Sequence, residues 1–257
     1  MIEIKNLSFS YREHPVLNGL NFSADRGQLV AVLGPNGVGK STLFRCILGF
    51  LRTYIGEILL EGHEIRTLSQ HEMARLVAYI PQSGDPVFNY TVRDTVLMGT
   101  TGNLNPLQSP GVQEYEIVER VMRELGIYEL CDCGIGRISG GERQLVMIAR
   151  ALAQNAKLLV MDEPTANLDY GNQYRVLQRI RALADSGYTV LVSTHNPDHA
   201  LRFATHILAL CKDGSFRTGP IEQALDEKLL SDLYEIPISI RDYETAAGYK
   251  RSCVPLL

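Results

Sequence analysis

The chain has 257 residues, 45% of them apolar, enough to bury a sizeable core and too many for a disordered chain. Its net charge of −4 argues against a dominant polyanion-binding surface, so nucleic acid is not expected as a partner. No apolar run approaches the roughly 18 residues needed to cross a bilayer, and residues 1–11 alternate polar and apolar side chains where a secretory signal would carry an apolar core. The chain is therefore expected in the cytoplasm, with any membrane association running through a partner.

In chain order, residues 2–7 and 20–23 alternate like half-exposed antiparallel strands, whereas residues 29–33 form a continuous apolar run of the kind buried in a parallel sheet. Directly after that run, residues 34–42 read Gly-Pro-Asn-Gly-Val-Gly-Lys-Ser-Thr, a complete phosphate-binding loop. Gly34, Gly37 and Gly39 lack a Cβ, so consecutive backbone N–H groups can close on phosphate oxygens. Lys40 supplies a compact cation, and the Ser41 hydroxyl can ligate magnesium. Leu43, Phe44, Ile47 and Leu48 then recur at helical spacing, so the loop opens a helix whose N-terminus favours bound anion. Cys46 on that helix reads as a small core residue, and an odd total of five cysteines fits a reducing compartment.

Between about residues 85 and 136 the character changes. Pro, Asn and Gly accumulate over 100–111, and Ile117, Val118, Val121, Met122 and Leu125 then follow a helical period, which reads as a helical subdomain inserted into the core. Cys131 and Cys133 form a Cys-x-Cys with no nearby histidine to complete a zinc set; loop thiols are the simpler reading. Ser139-Gly140-Gly141 opens the helical run 142–154, with Ser139 placed to cap it and the glycines leaving N–H groups uncovered as a second anion site. Residues 158–161 and 189–192 are two further buried apolar runs. Asp162 leaves the first of them where a carboxylate can hold magnesium, and Glu163, one residue on, suits a general base that polarises water for attack on a γ-phosphate. Taken without the phosphate loop, Asp162-Glu163-Pro164 reads equally well as a polar turn. Residues 237–257 show no clear period, and a docked tail and a frayed one remain equally open.

The phosphate loop, Gln82 after an apolar strand, Ile-Ser-Gly-Gly-Glu at 138–142, Asp162-Glu163, Asn-Leu-Asp at 167–169 and His195 after a strand stand in the order and rough spacing of the ATP-binding cassette (ABC) ATPases, which the chain resembles over about residues 1–234. Within that family, Asp-Pro-Val-Phe-Asn-Tyr-Thr-Val-Arg-Asp at 85–94, Leu-Asp-Tyr-Gly-Asn-Gln at 168–173 and His-Asn-Pro-Asp-His-Ala at 195–200 are similar to the ATPase subunits of metal-chelate importers, which take up iron siderophores, haem, cobalamin or, in some members, oxyanions. The resemblance implies an α/β fold: a P-loop NTPase core of a mixed, mainly parallel sheet with helices, an N-terminal antiparallel β-subdomain and an inserted α-helical subdomain. It places an ABC ATPase domain over 1–235, with the insertion at about 85–136, and a C-terminal tail over 236–257.

The resemblance also assigns roles. Tyr11 stacks on adenine, and Gly34, Asn36, Gly37, Gly39, Lys40, Ser41 and Thr42 hold the nucleotide. Glu163 is the general base. His195 contacts the γ-phosphate, and Gln82 reaches magnesium and the attacking water. Ser41, Gln82 and Asp162 form the metal set. Ser139, Gly140, Gly141 and Glu142 close over ATP held by a second copy of the chain, and Asp169 acts across that dimer. ATP and Mg2+ are the implied cofactors. The implied partners are a second ATPase subunit, polytopic permease subunits at the cytoplasmic face of the membrane and, indirectly, a substrate-binding protein. Ile138 stands where the family usually has leucine, an exchange of one apolar residue for another, and Cys131-Asp132-Cys133-Gly134 is unusual. A GTPase is disfavoured by the absence of Asn-Lys-x-Asp, and a soluble repair or translation ATPase by the absence of a long coiled coil or a second cassette. The remaining alternatives are another non-transport ABC ATPase and an importer of a different substrate, such as an oxyanion.

Overall fold

The computed structural model describes residues 1–82, 89–104, 108–245 and 248–256. Residues 85–88 of the 85–94 stretch and 105–107 of the segment at 100–111 lie outside the described residues. The chain divides into two compact units, Met1–Thr67 with Leu183–Leu257, and Leu68–Ala182.

The first unit begins with β1 (Ile2–Tyr11), β2 (His14–Ala24), β3 (Leu29–Leu33), α1 (Lys40–Ile47), β4 (Ile55–Leu60) and the short β5 (His63–Glu64). An antiparallel sheet in the order β2-β1-β4-β5 forms from these strands. The buried side chains of β1 are Ile2, Ile4, Leu7 and Phe9, so the inward set moves from even to odd positions partway along the strand. Strict alternation would turn Leu7 outward. The chain avoids this with an irregularity between Ile4 and Leu7, where Asn6 takes a φ of 50° and absorbs one residue.

The second unit contains α2 (Gln70–Leu76), β6 (Val77–Ile80), α3 (Val92–Leu97), α4 (Val112–Glu124), α5 (Gly140–Ala153), β7 (Leu158–Met161) and α6 (Tyr170–Asp185), the last running on past the boundary. β6 and β7 pair in parallel, with Ile80 opposite Met161. α5 packs against α3 and α4; Val146, Ile148 and Ala149 of α5 and a Val118, Val121 and Met122 stripe on α4 are buried. Gln154, after α5, donates its side-chain amide to Ala74 O at 2.6 Å and Val77 O at 2.9 Å, tying α5 to the α2–β6 junction.

The chain then returns to the first unit with β8 (Thr189–Thr194), α7 (Pro197–Phe203), β9 (His206–Leu210), β10 (Phe216–Pro220), α8 (Ile221–Ala224), α9 (Glu227–Tyr234), β11 (Ile238–Thr245) and β12 (Gly248–Pro255). β3 lies between β8 and β9, parallel to both, and β10 closes that edge in antiparallel fashion. All five residues of β3 are buried, which is why its sequence is continuously apolar and does not alternate. The C-terminal strands form an antiparallel hairpin from Ile238↔Pro255 to Thr245↔Gly248. Its start is bonded to α9: Ser239 Oγ and Ile240 N both donate to Glu227 Oε1 at 2.7 Å, which holds the Glu227 carboxyl below its usual range.

Candidate nucleotide-binding and hydrolysis site

In the first unit, Leu33 is in register with Thr194, so Gly34 and His195 leave neighbouring parallel strands at the same carboxyl edge. This edge is where open α/β sheets take ligands. Gly34, Gly37 and Gly39 adopt φ angles of 149°, 82° and 114°, the conformations that let the loop curl. Gly34 is also sterically fixed, because a Cβ there would lie 2.6 Å from Leu210 O and 2.8 Å from Val38 Cγ1. Gly39 is the N-cap of α1 and offers no side-chain cap, and the first turn of α1 carries no acid. No side chain of the helix's own cap or first turn competes for its opening N–H groups, and the helix dipole adds to their attraction for an anion.

Lys40 is 6% exposed, and its Nζ donates to Gly34 O at 2.7 Å and Pro35 O at 3.0 Å. Burial of an ammonium is tolerated only with such partners, and a phosphate oxygen would replace neutral carbonyls with a charge-assisted bond. Ser41 is exposed, Thr42 is buried, and Asn36 and Gly37 are exposed on the rim of an open crevice of about 450 Å³ that Val16 and Lys212 also line. Tyr11 stands 41% exposed at the end of β1, edge-on to Phe9 with ring centroids 4.9 Å apart.

In the second unit, the parallel pairing of β6 and β7 puts Gln82 and Asp162 just beyond adjoining carboxyl ends, and Asp162 N extends the ladder by donating to Ile80 O at 2.9 Å. Glu163 follows with a φ of 45°, left-handed for a residue with a Cβ. Such a conformation costs about 1–3 kcal/mol and gathers at functional sites. Ala166 N donates to Glu163 O at 3.0 Å, and Asn167 takes a second positive φ of 62°, so residues 162–169 form a tight polar loop.

The same unit builds the Ser-Gly-Gly-Glu signature at residues 139–142. Ser139 caps α5 by accepting from Glu142 N at 3.3 Å, while Ser139 N and Oγ donate to Glu142 Oε2 at 2.8 and 2.7 Å, a capping box. Those bonds hold the Glu142 carboxyl below its usual range. Gly140 and Gly141 occupy the first helical positions, where N–H groups have no intrahelical acceptor.

Sequence reasoning missed Asn172. Its N donates to Asp169 Oδ1 at 2.9 Å and its side-chain amide to Asp169 Oδ2 at 2.7 Å, depressing the Asp169 carboxyl pKa. A Cβ on Gly141 would lie 2.8 Å from Asn172 Cγ, so the same side chain packs on the signature glycine. Asn172 thus joins Asp169 to Gly141. The spacing Asp-x-x-Asn at a helix start is the sequence signal for the first contact; nothing local encodes the second.

The Cys131–Cys133 stretch acquires a structural account. Val92 N donates to Cys133 O at 2.9 Å and Arg93 N to Cys131 O at 3.0 Å, so these carbonyls receive the opening N–H groups of α3. Arg93 Nη2 also lies 3.3 Å from both Cys131 Sγ and Asp132 Oδ1.

His195 is exposed, and the following α7 is started by Asn196, whose Oδ1 accepts from Asp198 N at 2.9 Å. His199, on α7, is buried, and burial, with His195 and Arg202 adding repulsion against the opposing pull of Asp198, lowers its pKa to about 4. The folded protein keeps this imidazole neutral at pH values where the unfolded chain, near 6.5, protonates it. The stability penalty is absent above pH 6.5 and grows as the pH falls from about 6.5 towards 4. The thermal midpoint should therefore fall more steeply between pH 7 and pH 5 for the native chain than for His199→Gln. Parallel pH profiles would show that His199 does not titrate in this way.

Comparison with known proteins agrees with this geometry. A family model described as "ABC transporter" matches residues 17–166, and a second, described as an AAA domain, matches 135–198. The chain is 37% identical over 240 residues to the "Probable iron chelatin transport ATP-binding protein" of Helicobacter pylori (strain ATCC 700392 / 26695), covering 93% of this chain and 94% of that protein. It is 34% identical over 253 residues to the "Molybdate import ATP-binding protein MolC" of Haemophilus influenzae, covering 98% and 93%. Among solved structures, a "metal-chelate type ABC transporter" in "an inward-facing conformation" superposes with a TM-score of 0.89 at 32% identity, covering 100% of this chain and 97% of that one. A phosphate loop and His195 on one sheet edge, an Asp162–Glu163 strand end and a signature helix, matched over nearly the whole chain, establish it as a member of the ABC transporter ATP-binding proteins and an ATPase subunit of that family.

Proposed function

We propose that the chain powers a metal-chelate importer, binding and hydrolysing ATP at the cytoplasmic face of the membrane while permease subunits carry the substrate. The full-length likeness, at 32% identity, to a metal-chelate type transporter is the observation that carries this reading. Among the described residues no helix is long and apolar enough to cross a membrane, and the transmembrane path in this proposal belongs to the permease. The ABC ATPase domain spans 1–235 with its helical insertion at about 85–136, followed by the tail at 236–257.

In this mechanism Tyr11 stacks on adenine, and Gly34, Asn36, Gly37, Gly39, Lys40, Ser41 and Thr42 hold the phosphates. The Ser41 hydroxyl, the Asp162 carboxylate and the Gln82 carboxamide oxygen are hard donors of the kind magnesium takes, and Ser41 and Gln82 are exposed to receive it. A magnesium ion there would neutralise charge developing on the phosphate oxygens. Glu163 accepts the proton of the attacking water, His195 orients that water against the γ-phosphate, and Gln82 relays occupancy to the permease. Ser139, Gly140, Gly141 and Glu142 face ATP held by a second copy of the chain, and Asp169 acts across the same homodimer.

A second reading, an oxyanion importer, is favoured by the likeness to the molybdate protein over 98% of the chain. The discriminating measurement is ATPase activity of the intact complex, extracted from membranes with its polytopic subunit and presented with loaded binding protein. Stimulation by an iron chelate, haem or cobalamin supports the first reading, and stimulation by molybdate alone supports the second. A response to sugars or amino acids only would sink both.

A further inference from the structure

The C-terminal segment contacts the His195 region at two points. Tyr234, the last residue of α9, donates its hydroxyl to the backbone carbonyl of His195 at 2.9 Å. Three residues further on, Asp198 Oδ1 accepts from Ser252 Oγ at 2.9 Å and from Cys253 N at 2.8 Å, both on β12. Burial pushes the Tyr234 hydroxyl above its ordinary pKa, so it is a neutral donor throughout the physiological range.

These two points belong to one body. β12 pairs with β11 along its length, and β11 is bonded to α9 through Glu227 and through Ile238 N, which donates to Ser231 Oγ at 2.9 Å. After Tyr234 the chain reverses at Glu235, whose φ is 57°, and Glu235 is paired with Lys212 at 2.7 Å. The helix end and the hairpin therefore grip residues 195 and 198 from a common frame. On the other side, Asn196 N donates to Thr194 Oγ1 at 3.1 Å, which fixes the peptide between His195 and Asn196 from the strand side. The His195 backbone is held while its side chain stays exposed.

We propose that the C-terminal segment is a positioning device for His195, with Tyr234 as the positioning residue and the Asp198–β12 contact as its second anchor. This rests on the reading of His195 as the group that orients water at the γ-phosphate. A hydrogen bond to the carbonyl of a catalytic residue sets the direction of its Cα–Cβ bond, and small errors of placement are costly in a step that depends on alignment. Loss of the Tyr234 donor should therefore lower the rate of the chemical step and leave nucleotide affinity alone, since the hydroxyl donates to the His195 carbonyl.

The test uses the intact transporter complex. Tyr234→Phe keeps the ring and removes only the hydroxyl; a neutral hydrogen bond contributes about 0.5–1.5 kcal/mol, so kcat should fall by about 2- to 10-fold. The KM for ATP and the equilibrium binding of ATP should stay unchanged. Ser252→Ala should give a smaller loss of the same kind, and Tyr234→Phe should add nothing in a His195→Ala background. A His195→Ala complex that is inactive beside a Tyr234→Phe complex with native kcat would overturn the inference and spare the reading of His195. Native turnover in His195→Ala would overturn both. A Tyr234→Phe defect that lowers ATP binding and thermal midpoint together with kcat would mark a packing role and also overturn it.

Discussion

Glu163→Gln is expected to lower ATP turnover by about 10²- to 10⁴-fold, the range attributed to a positioned general base, while ATP remains bound. Glutamine has the size and shape of glutamate but cannot accept the proton of the attacking water. The φ of 45° at this position is no harder for glutamine than for glutamate, so the loop at 162–169 should keep its path. The chemical step alone is removed. In the proposed dimer, where ATP bridges Lys40 of one copy and Ser139 of the other, blocked hydrolysis should trap the closed state. Phosphate release read alongside light scattering in ATP would check both halves of this expectation. Turnover within a few-fold of native, or a purely monomeric protein with ATP bound, would defeat the assignment.

The second large effect separates two glycines of the phosphate loop. Gly37 has a φ of 82°, but a Cβ there would meet nothing within 4 Å, so Gly37→Ala suffers only backbone strain. That strain is worth about 1–3 kcal/mol, or roughly 5- to 150-fold in ATP affinity if it falls entirely on the bound loop. Gly34→Ala has the strain of a φ of 149° and in addition a Cβ 2.6 Å from the main-chain oxygen of Leu210, at the end of β9. A strand backbone cannot yield as a side-chain tip can, so the loop must move instead. ATP binding by Gly34→Ala should be about 5- to 150-fold weaker than by Gly37→Ala, since overpacking adds about 1–3 kcal/mol. Titration calorimetry on both variants measures the difference, and equal affinities would show that the Leu210 contact does not shape the loop.

The phosphate loop was legible in the sequence because its chemistry is local. Three glycines, a lysine and a hydroxyl at fixed spacing, after an apolar strand and before an amphipathic helix, leave few alternatives. The strands at 29–33 and 158–161 coincide with β3 and β7, because full burial on both faces of a parallel sheet writes a continuous apolar run. The Cys131–Cys133 stretch was not legible, since its role lies in backbone carbonyls that serve α3, and side-chain identity says nothing of that. The tail was open for the same reason: its anchors, Glu227, Ser231 and Asp198, belong to helices placed elsewhere in the sequence.

By itself the sequence determined the family to which this chain belongs, one that binds ATP, and it supplied the residues proposed here for that chemistry. Only the tertiary structure decided who stands beside whom. Register between β3 and β8 sets Gly34 next to His195, and register between β6 and β7 sets Gln82 next to Asp162. Packing lays Asn172 on Gly141, and α9 folds back to bring Tyr234 to the His195 carbonyl. Residue chemistry is carried by each side chain wherever it goes, whereas these pairings join positions from about thirty to over a hundred and fifty residues apart. They arise from burying apolar faces and satisfying backbone hydrogen bonds across the whole chain, and no short window of sequence contains that balance.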